Sequence, residues 1–385
     1  MSEIDVYITQ TACTLPNAPI GNDDIEQVLG MVGEKPSRTK RIILRQNGIK
    51  QRYYVLDPIT RLPNFTNAQL TADAVRKLFN HDQQQLDLVD CLASGTTLAD
   101  QIAPNHGLMV HGELGIPPCE VIATAGICLS GITALKYAYM SVKCGDHSKA
   151  VSTGSETSSV MLRSEKYMSE NHYSDDDIKR HPELCFEKDF LRWLLSDGAG
   201  AILLEPKLND HHTQTVAKIN WLKIYSFANE LKTCMYAGAS KNEAGDLTGW
   251  TSYSPNELRD NAVLTIQQDV RLLNDKIIDI SLLTLEKIKQ ETGLQADDID
   301  YFLPHISSMY FFEPFRKALD NSGFVIAKEK WFTNLTTKGN TGSASIYIML
   351  DELLKSGRCR CGEKILCFVP ESGRFSAAYM LLTVV

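Results

Sequence analysis

Residues 126–146 read GICLSGITALKYAYMSVKCGD, and residues 339–358 read GNTGSASIYIMLDELLKSGR. Each predicts a helix that opens on small residues and closes on glycine. With Cys128 aligned to Asn340, Gly145 and Gly357 both fall 17 residues later, where a helix C-terminal glycine belongs. Upstream, LDLVDCLASG (86–95) and IDYFLPHISS (299–308) both predict short apolar strands ending in small polar residues. Asp87 lies 41 residues before Cys128, and Asp300 lies 40 before Asn340. Features in register with elements of the same type predict an internal duplication. Strand-like runs alternate with helix-length segments along the whole chain, an α/β pattern. The polar stretch 206–216, PKLNDHHTQTV, divides it into halves at 1–206 and 217–385.

Composition narrows the class. The chain has 385 residues, 43% of them hydrophobic and 22% charged, which excludes wholesale disorder. No run approaches 18 apolar residues, so no membrane-spanning helix is expected. The opening MSEIDVYITQ lacks the layout of a signal peptide. Ten scattered cysteines do not make a disulfide scaffold, and a cytoplasmic enzyme is expected. A net charge of -8 argues against nucleic-acid binding. The C-x-C at Cys359 and Cys361 has no second Cys or His pair at zinc spacing, so no metal is expected. SDGAGA at 196–201 lacks a phosphate-loop register, and tight strand packing accounts for its glycines.

Three residues carry chemistry as a set. Cys128 stands at a predicted helix N-terminus, where exposed N–H groups are expected to favour the thiolate. His305 follows the apolar strand YFLP, and Asn340 opens the mirrored helix. If the halves pack about a pseudo-twofold axis, the two helix starts and the end of the His305 strand face one crevice. A thiolate can take an acyl group from a thioester. A neutral imidazole and a carboxamide can then stabilise an enolate or a thioester oxygen. Asparagine is no general base, so its pairing with histidine suits carbanion chemistry rather than hydrolysis.

The set AGICLSG, PHISS and GNTGSAS resembles the Cys, His and Asn motifs of the β-ketoacyl-[acyl-carrier-protein] synthase III family, of the thiolase superfamily. The likeness covers nearly the whole chain. LPNAPIGNDDIE and GIKQRYY resemble the family's opening segments, SDGAGAILLEP its glycine-bearing strand, and PESGRFSAAYMLL its terminal loop and strand. The resemblance implies a homodimer with a five-layer αβαβα body and no cofactor. Substrates would be acyl thioesters on acyl carrier protein or coenzyme A. It implies Cys128 as nucleophile, His305 with Asn340 as the enolate or decarboxylation site, and the amides of Cys128 and Gly373 as oxyanion hole.

The chain also departs from the family. Ile306-Ser307-Ser308 replaces the usual Gln-Ala-Asn, and the tryptophan of the coenzyme A segment is missing. The stretch 161–190 is longer and more polar than its family equivalent. The terminal loop reads Glu371-Ser372-Gly373-Arg374-Phe375 where several glycines are usual. A guanidinium buried beside the oxyanion hole needs a partner, so Arg374 is expected to meet a carboxylate or a keto group of substrate. Glu156 is a candidate partner, substrate contact or base; interface structure is the plainer alternative. These features look similar to the ketosynthase–cyclase branch, which closes dialkylresorcinol or stilbene precursors. Lys35 to Arg52 carries seven basic residues and no acid. Lys40, Arg41 and Arg45 there are candidates for docking an anionic carrier, against a solvated loop and strand edge. The rivals to a condensing enzyme are an acyltransferase or thioesterase on the same fold, and a non-catalytic ketosynthase partner subunit.

Overall fold

The apolar runs of the chain become the nine strands of one sheet. In chain order they are β1 Tyr7–Thr14, β2 Cys91–Thr96, β3 Glu120–Ala125, β4 Ala150–Glu156 and β5 Gly198–Glu205. The second set is β6 Ala217–Ser226, β7 Tyr301–Pro304, β8 Lys364–Glu371 and β9 Ser376–Val384. The spatial order is β7-β8-β9-β6-β1-β5-β4-β2-β3. These elements come from a computed structural model that describes residues 4–32, 36–37, 39–167, 190–206 and 214–385.

The sheet has a narrow seam. β6 and β1 pair only at Tyr7↔Lys218 and Ile8↔Ala217, whereas β1 and β5 pair along nearly their full length. On either side of the seam lies a half-sheet. Between the half-sheets run α4, Leu129–Cys144, and α7, Ser345–Lys355. One core holds Leu135 and Tyr139 of α4, Leu350 and Leu353 of α7, and strand residues such as Ile202 and Leu382 from both half-sheets. Helices α2 (Asn67–Leu78) and α3 (His106–Leu114) cover the first half-sheet from outside. Helices α5 (Val270–Thr292) and α6 (Phe312–Asn321) cover the second. The layers run αβαβα, as the resemblance implies.

The duplication is visible, with one change of register. Gly145 and Gly357 both have positive φ at the ends of α4 and α7. The mirrored acids, however, are Asp90 and Asp300, not Asp87 and Asp300. Each directly precedes its strand, and each donates its backbone N–H to a carbonyl of a neighbouring strand's leading edge, Lys149 or Lys364. Their carboxylates then accept amides there: Ser148 and Lys149 for Asp90, Lys364 for Asp300. Asp87 instead ends the short helix Gln83–Leu86. Hydrophobic pattern alone does not separate a helix-ending aspartate from a strand-opening one three residues later.

Glycines set how closely the central layer can pack. A Cβ on Gly131 or on Gly154 would stand 2.4 Å from the Ser343 carbonyl oxygen. A Cβ on Gly200 would stand 2.3 Å from Cβ of Tyr347. The absent side chains let the segment leading into α7 rest on α4, β4 and β5. Tyr347 then locks the contact: its hydroxyl donates to the Gly131 carbonyl at 2.8 Å and is 2.7 Å from the Ser152 hydroxyl. The glycines of SDGAGA serve this packing. Most of the polar stretch 161–190 and of the expected junction at 206–216 lies outside the described residues.

Candidate active site

Cys128 is the N-cap residue of α4, with φ −61° and ψ −23°, and is nearly buried. It follows the half-buried edge strand β3 by way of Gly126 and Ile127. Asn340 stands in the corresponding place before α7. A short 3-10 turn, Gly342–Ala344, precedes that helix. The Asn340 carboxamide oxygen accepts the Gly342 N–H at 3.0 Å. Its backbone is fixed by exchange with Leu194 and Ser196, at 3.1 and 2.8 Å. This is a local turn rather than a helix cap, since Thr341 and Ala344 hold the N-cap positions of the turn and of α7, and no bond among the described residues falls on Nδ2.

Cys128 and Asn340 line one cavity. Glu156, Thr97, Gln268 and Ser307 supply its polar wall, and Leu191, Leu195, Met235 and Ile266 its apolar wall. Glu156, at the end of β4, is buried. Its Oε1 accepts the Thr97 hydroxyl at 2.6 Å, the Thr97 N–H at 3.2 Å and the Ser343 N–H at 3.1 Å. No bond among the described residues falls on Oε2. Burial pushes this carboxyl up to about 7, the bonds from Thr97 and Ser343 only partly opposing it.

His305 directly follows β7, and its N–H donates to the Phe368 carbonyl at 2.7 Å. The ring is buried, and neither nitrogen has a hydrogen-bond partner among the described residues. Burial lowers its pKa to about 4, so the imidazole is neutral at physiological pH. It lines an adjoining pocket with Ile277, Ser281, Phe311 and Phe368 rather than the Cys128 cavity, and Ser307 borders both. The structure therefore brings sulfur and carboxamide to one space, with the imidazole on the neighbouring one.

Two sequence expectations need correction. Cys128 is not held as a thiolate by its helix. Burial pushes its pKa far up, and the charges of Glu371 and Glu156 push the same way. The helix-end amides are already engaged: Glu371 Oε2 accepts the N–H of Ile127 at 3.1 Å and of Leu129 at 2.9 Å. Arg374 is exposed and does not line the cavity. It sits on the four-residue loop joining β8 to β9, and its Nε donates to the Leu231 carbonyl at 2.9 Å. Phe375, at φ 59°, turns its ring inward against Phe227, Cys234 and Leu273, which leaves the arginine outside. Glu156 is therefore not its partner. Gly373 is buried; a Cβ there would meet Ile127 Cγ1 at 3.0 Å and Glu371 Oε1 at 3.1 Å. Its carbonyl accepts the Cys234 N–H at 2.8 Å.

The basic segment divides on folding. Arg52 is fully buried and bonds to Asn22 and the Trp193 carbonyl. Lys40 pairs with Glu26 at 3.1 Å and lies over the Trp193 ring. Arg41 and Arg45 are exposed on α1, Lys40–Asn47. Beside α1 opens a second crevice, lined by Gln46, Asn47, Asn274, Ser308 and Tyr310, which shares Phe190 with the Cys128 cavity.

Comparison with known proteins bears on the family and the fold. The 3-oxoacyl-[acyl-carrier-protein (ACP)] synthase III C-terminal family matches residues 290–382, which include His305, Asn340 and Gly373. The β-ketoacyl-[acyl-carrier-protein] synthase III of Hyphomonas neptunium is 24% identical over 364 residues, 94% of this chain and 93% of that protein. Over nearly its whole length the chain is similar to β-ketoacyl-[acyl-carrier-protein] synthase III enzymes. The synthase III of Streptococcus pyogenes is 22% identical over 92% of this chain and 91% of its own. Among solved structures, a tetronic acid condensing enzyme superposes with a TM-score of 0.73 at 18% identity, covering 98% of this chain and 99% of that one. Xanthomonas campestris OleA with bound lauric acid and lauroyl-CoA gives 0.74 at 19% identity, covering 98% and 99%. These neighbours share the fold of the synthase III family.

Proposed function

We propose that this chain is a synthase III-like enzyme that joins two acyl groups carried as thioesters by a Claisen-type condensation. The observation that carries this is the shared cavity of Cys128, Asn340 and Glu156. The Cys128 sulfur attacks the first thioester carbonyl, the carbon–sulfur bond to the carrier breaks, and the thiol proton leaves with the carrier thiol. The second thioester becomes an enolate, either by losing carbon dioxide from a malonyl group or by losing an α-proton to Glu156. Glu156, near 7, is matched to that proton transfer at neutral pH. Asn340 Nδ2 and the neutral His305 ring are donors suited to the enolate or thioester oxygen. The enolate carbon then attacks the acyl-cysteine, and Cys128 is released.

The crevice beside α1 suits the pantetheine arm, and exposed Arg41 and Arg45 suit its anionic carrier, acyl carrier protein or coenzyme A. With Arg374 on the surface, the residues left to orient a keto group are Glu156, Gln268 and Thr97. Ring closure after condensation would depend on them. Among the described residues β3 is an end strand paired only to β2, and its open edge suits antiparallel pairing with a second copy.

Incubating an acyl thioester with a malonyl or β-ketoacyl thioester, and weighing the products, tests the reading. A product containing both carbon chains, absent with Cys128→Ala, is expected. Free acid or simple transfer as the only product would favour the acyltransferase or thioesterase reading and contradict this one.

A further inference from the structure

Glu371 ends β8 and is mostly buried against the start of α4. One oxygen, Oε2, accepts the N–H of Ile127 and of Leu129, the residues on either side of Cys128. The other, Oε1, lies 3.1 Å from where a Cβ of Gly373 would stand. Ser372, the residue between, lines the Cys128 cavity. The carboxylate thus bridges two chain segments 242 residues apart, the terminal loop and the nucleophile turn.

We propose that Glu371 is a positioning residue for acyl transfer, gripping the amides that flank Cys128 so that the Gly373 loop is held against the nucleophile helix. The inference rests on the acyl-transfer reading above. The sequence resemblance implies an oxyanion held by the amides of Cys128 and Gly373, which come from these two segments. Their separation matters, because donors must meet the oxyanion at hydrogen-bond distance to stabilise it. Glu371 has a second consequence. The acids whose charge acts on the Cys128 sulfur are Glu371 from β8 and Glu156 from β4. Burial first, and these two acids with it, keep the sulfur protonated at rest, so the thiol proton stays available to the departing carrier thiolate as the sulfur–carbon bond forms.

The experiment compares Glu371→Ala and Glu371→Gln with wild type in two reactions at Cys128, both read by peptide mass. One is acylation by an acyl-CoA; the other is alkylation by iodoacetamide, which builds no oxyanion. Glu371→Ala loses the grip, so its acylation should slow about 10²-fold or more while alkylation is not slowed. Glu371→Gln keeps an acceptor oxygen but no charge. Its acylation should stay near the wild-type rate, and its alkylation midpoint should move to lower pH. Wild-type acylation rates in Glu371→Ala would overturn the inference. So would equal losses in both variants, or a parallel fall of alkylation and acylation in Glu371→Ala. A wild-type protein that takes no acyl group would instead overturn the proposed function, and this inference with it.

Discussion

The Ser343 N–H donates to Glu156 Oε1 at 3.1 Å, joining the segment that carries Asn340 to the strand that ends beside Cys128. A residue of one half thus fixes the backbone of the other within the cavity wall. The wall of this cavity is therefore built from both ends of the chain.

Glu156 should act in condensation and not in acylation. Glu156→Gln should leave acyl transfer to Cys128 intact and abolish turnover of a substrate that must lose an α-proton. In wild type, that step should quicken as pH rises through about 7, because the ionised form is the base. His305, neutral above about 4, should not produce this limb, so His305→Gln should retain it. Rate–pH profiles of the two variants separate the assignments.

Asn340→Asp keeps an oxygen for the Gly342 N–H but loses the Nδ2 donor and gains charge. Condensation should fall by about 10²–10³-fold, the loss typical of one missing oxyanion donor, while single-turnover acylation is preserved. Single-turnover and steady-state rates on the same protein show the split.

Tyr347→Phe removes the hydroxyl shared by Ser152 and the Gly131 carbonyl. Leaving these buried groups unpaired should cost about 1–3 kcal/mol, measured by denaturant unfolding. Gly154→Ala should cost at least as much, since its Cβ would stand 2.4 Å from the Ser343 oxygen and 2.9 Å from the Tyr347 ring.

Charge reversal of Arg41 and Arg45 should raise KM for a carrier-bound substrate, most at low salt, with kcat unchanged. Lys40 is a poorer probe, because its reversal also breaks the pair with Glu26.

The layered fold and its duplication were legible because helix-closing glycines and strand patterns repeat at fixed spacing. The offset of the aspartates was not, because Asp87 and Asp90 are equally compatible with the local pattern. Cys128 and Asn340 could be placed in one crevice from symmetry alone. His305 sits where its strand ends, as expected, yet which pocket its ring borders depends on the packing of α5 and α6, and periodicity does not encode it. The terminal loop held the clearest misreading. Arg374 drew attention as a charge near the oxyanion hole, but Phe375 takes the inward position and sends it to solvent. Glu371, two residues before Gly373, stands out in the sequence only as a departure from the family's glycine-rich loop. An acid replacing glycine at that point was the signal, since only the folded chain shows the two amides that receive it.

The most direct measurement is a pulse and chase on the intact protein. An acyl thioester is added alone, the mass of the protein is recorded, and a second thioester follows. A single acyl adduct on Cys128, absent in Cys128→Ala, should form and then disappear as a product bearing both chains accumulates. No adduct, or an adduct released only as free acid, would contradict the account.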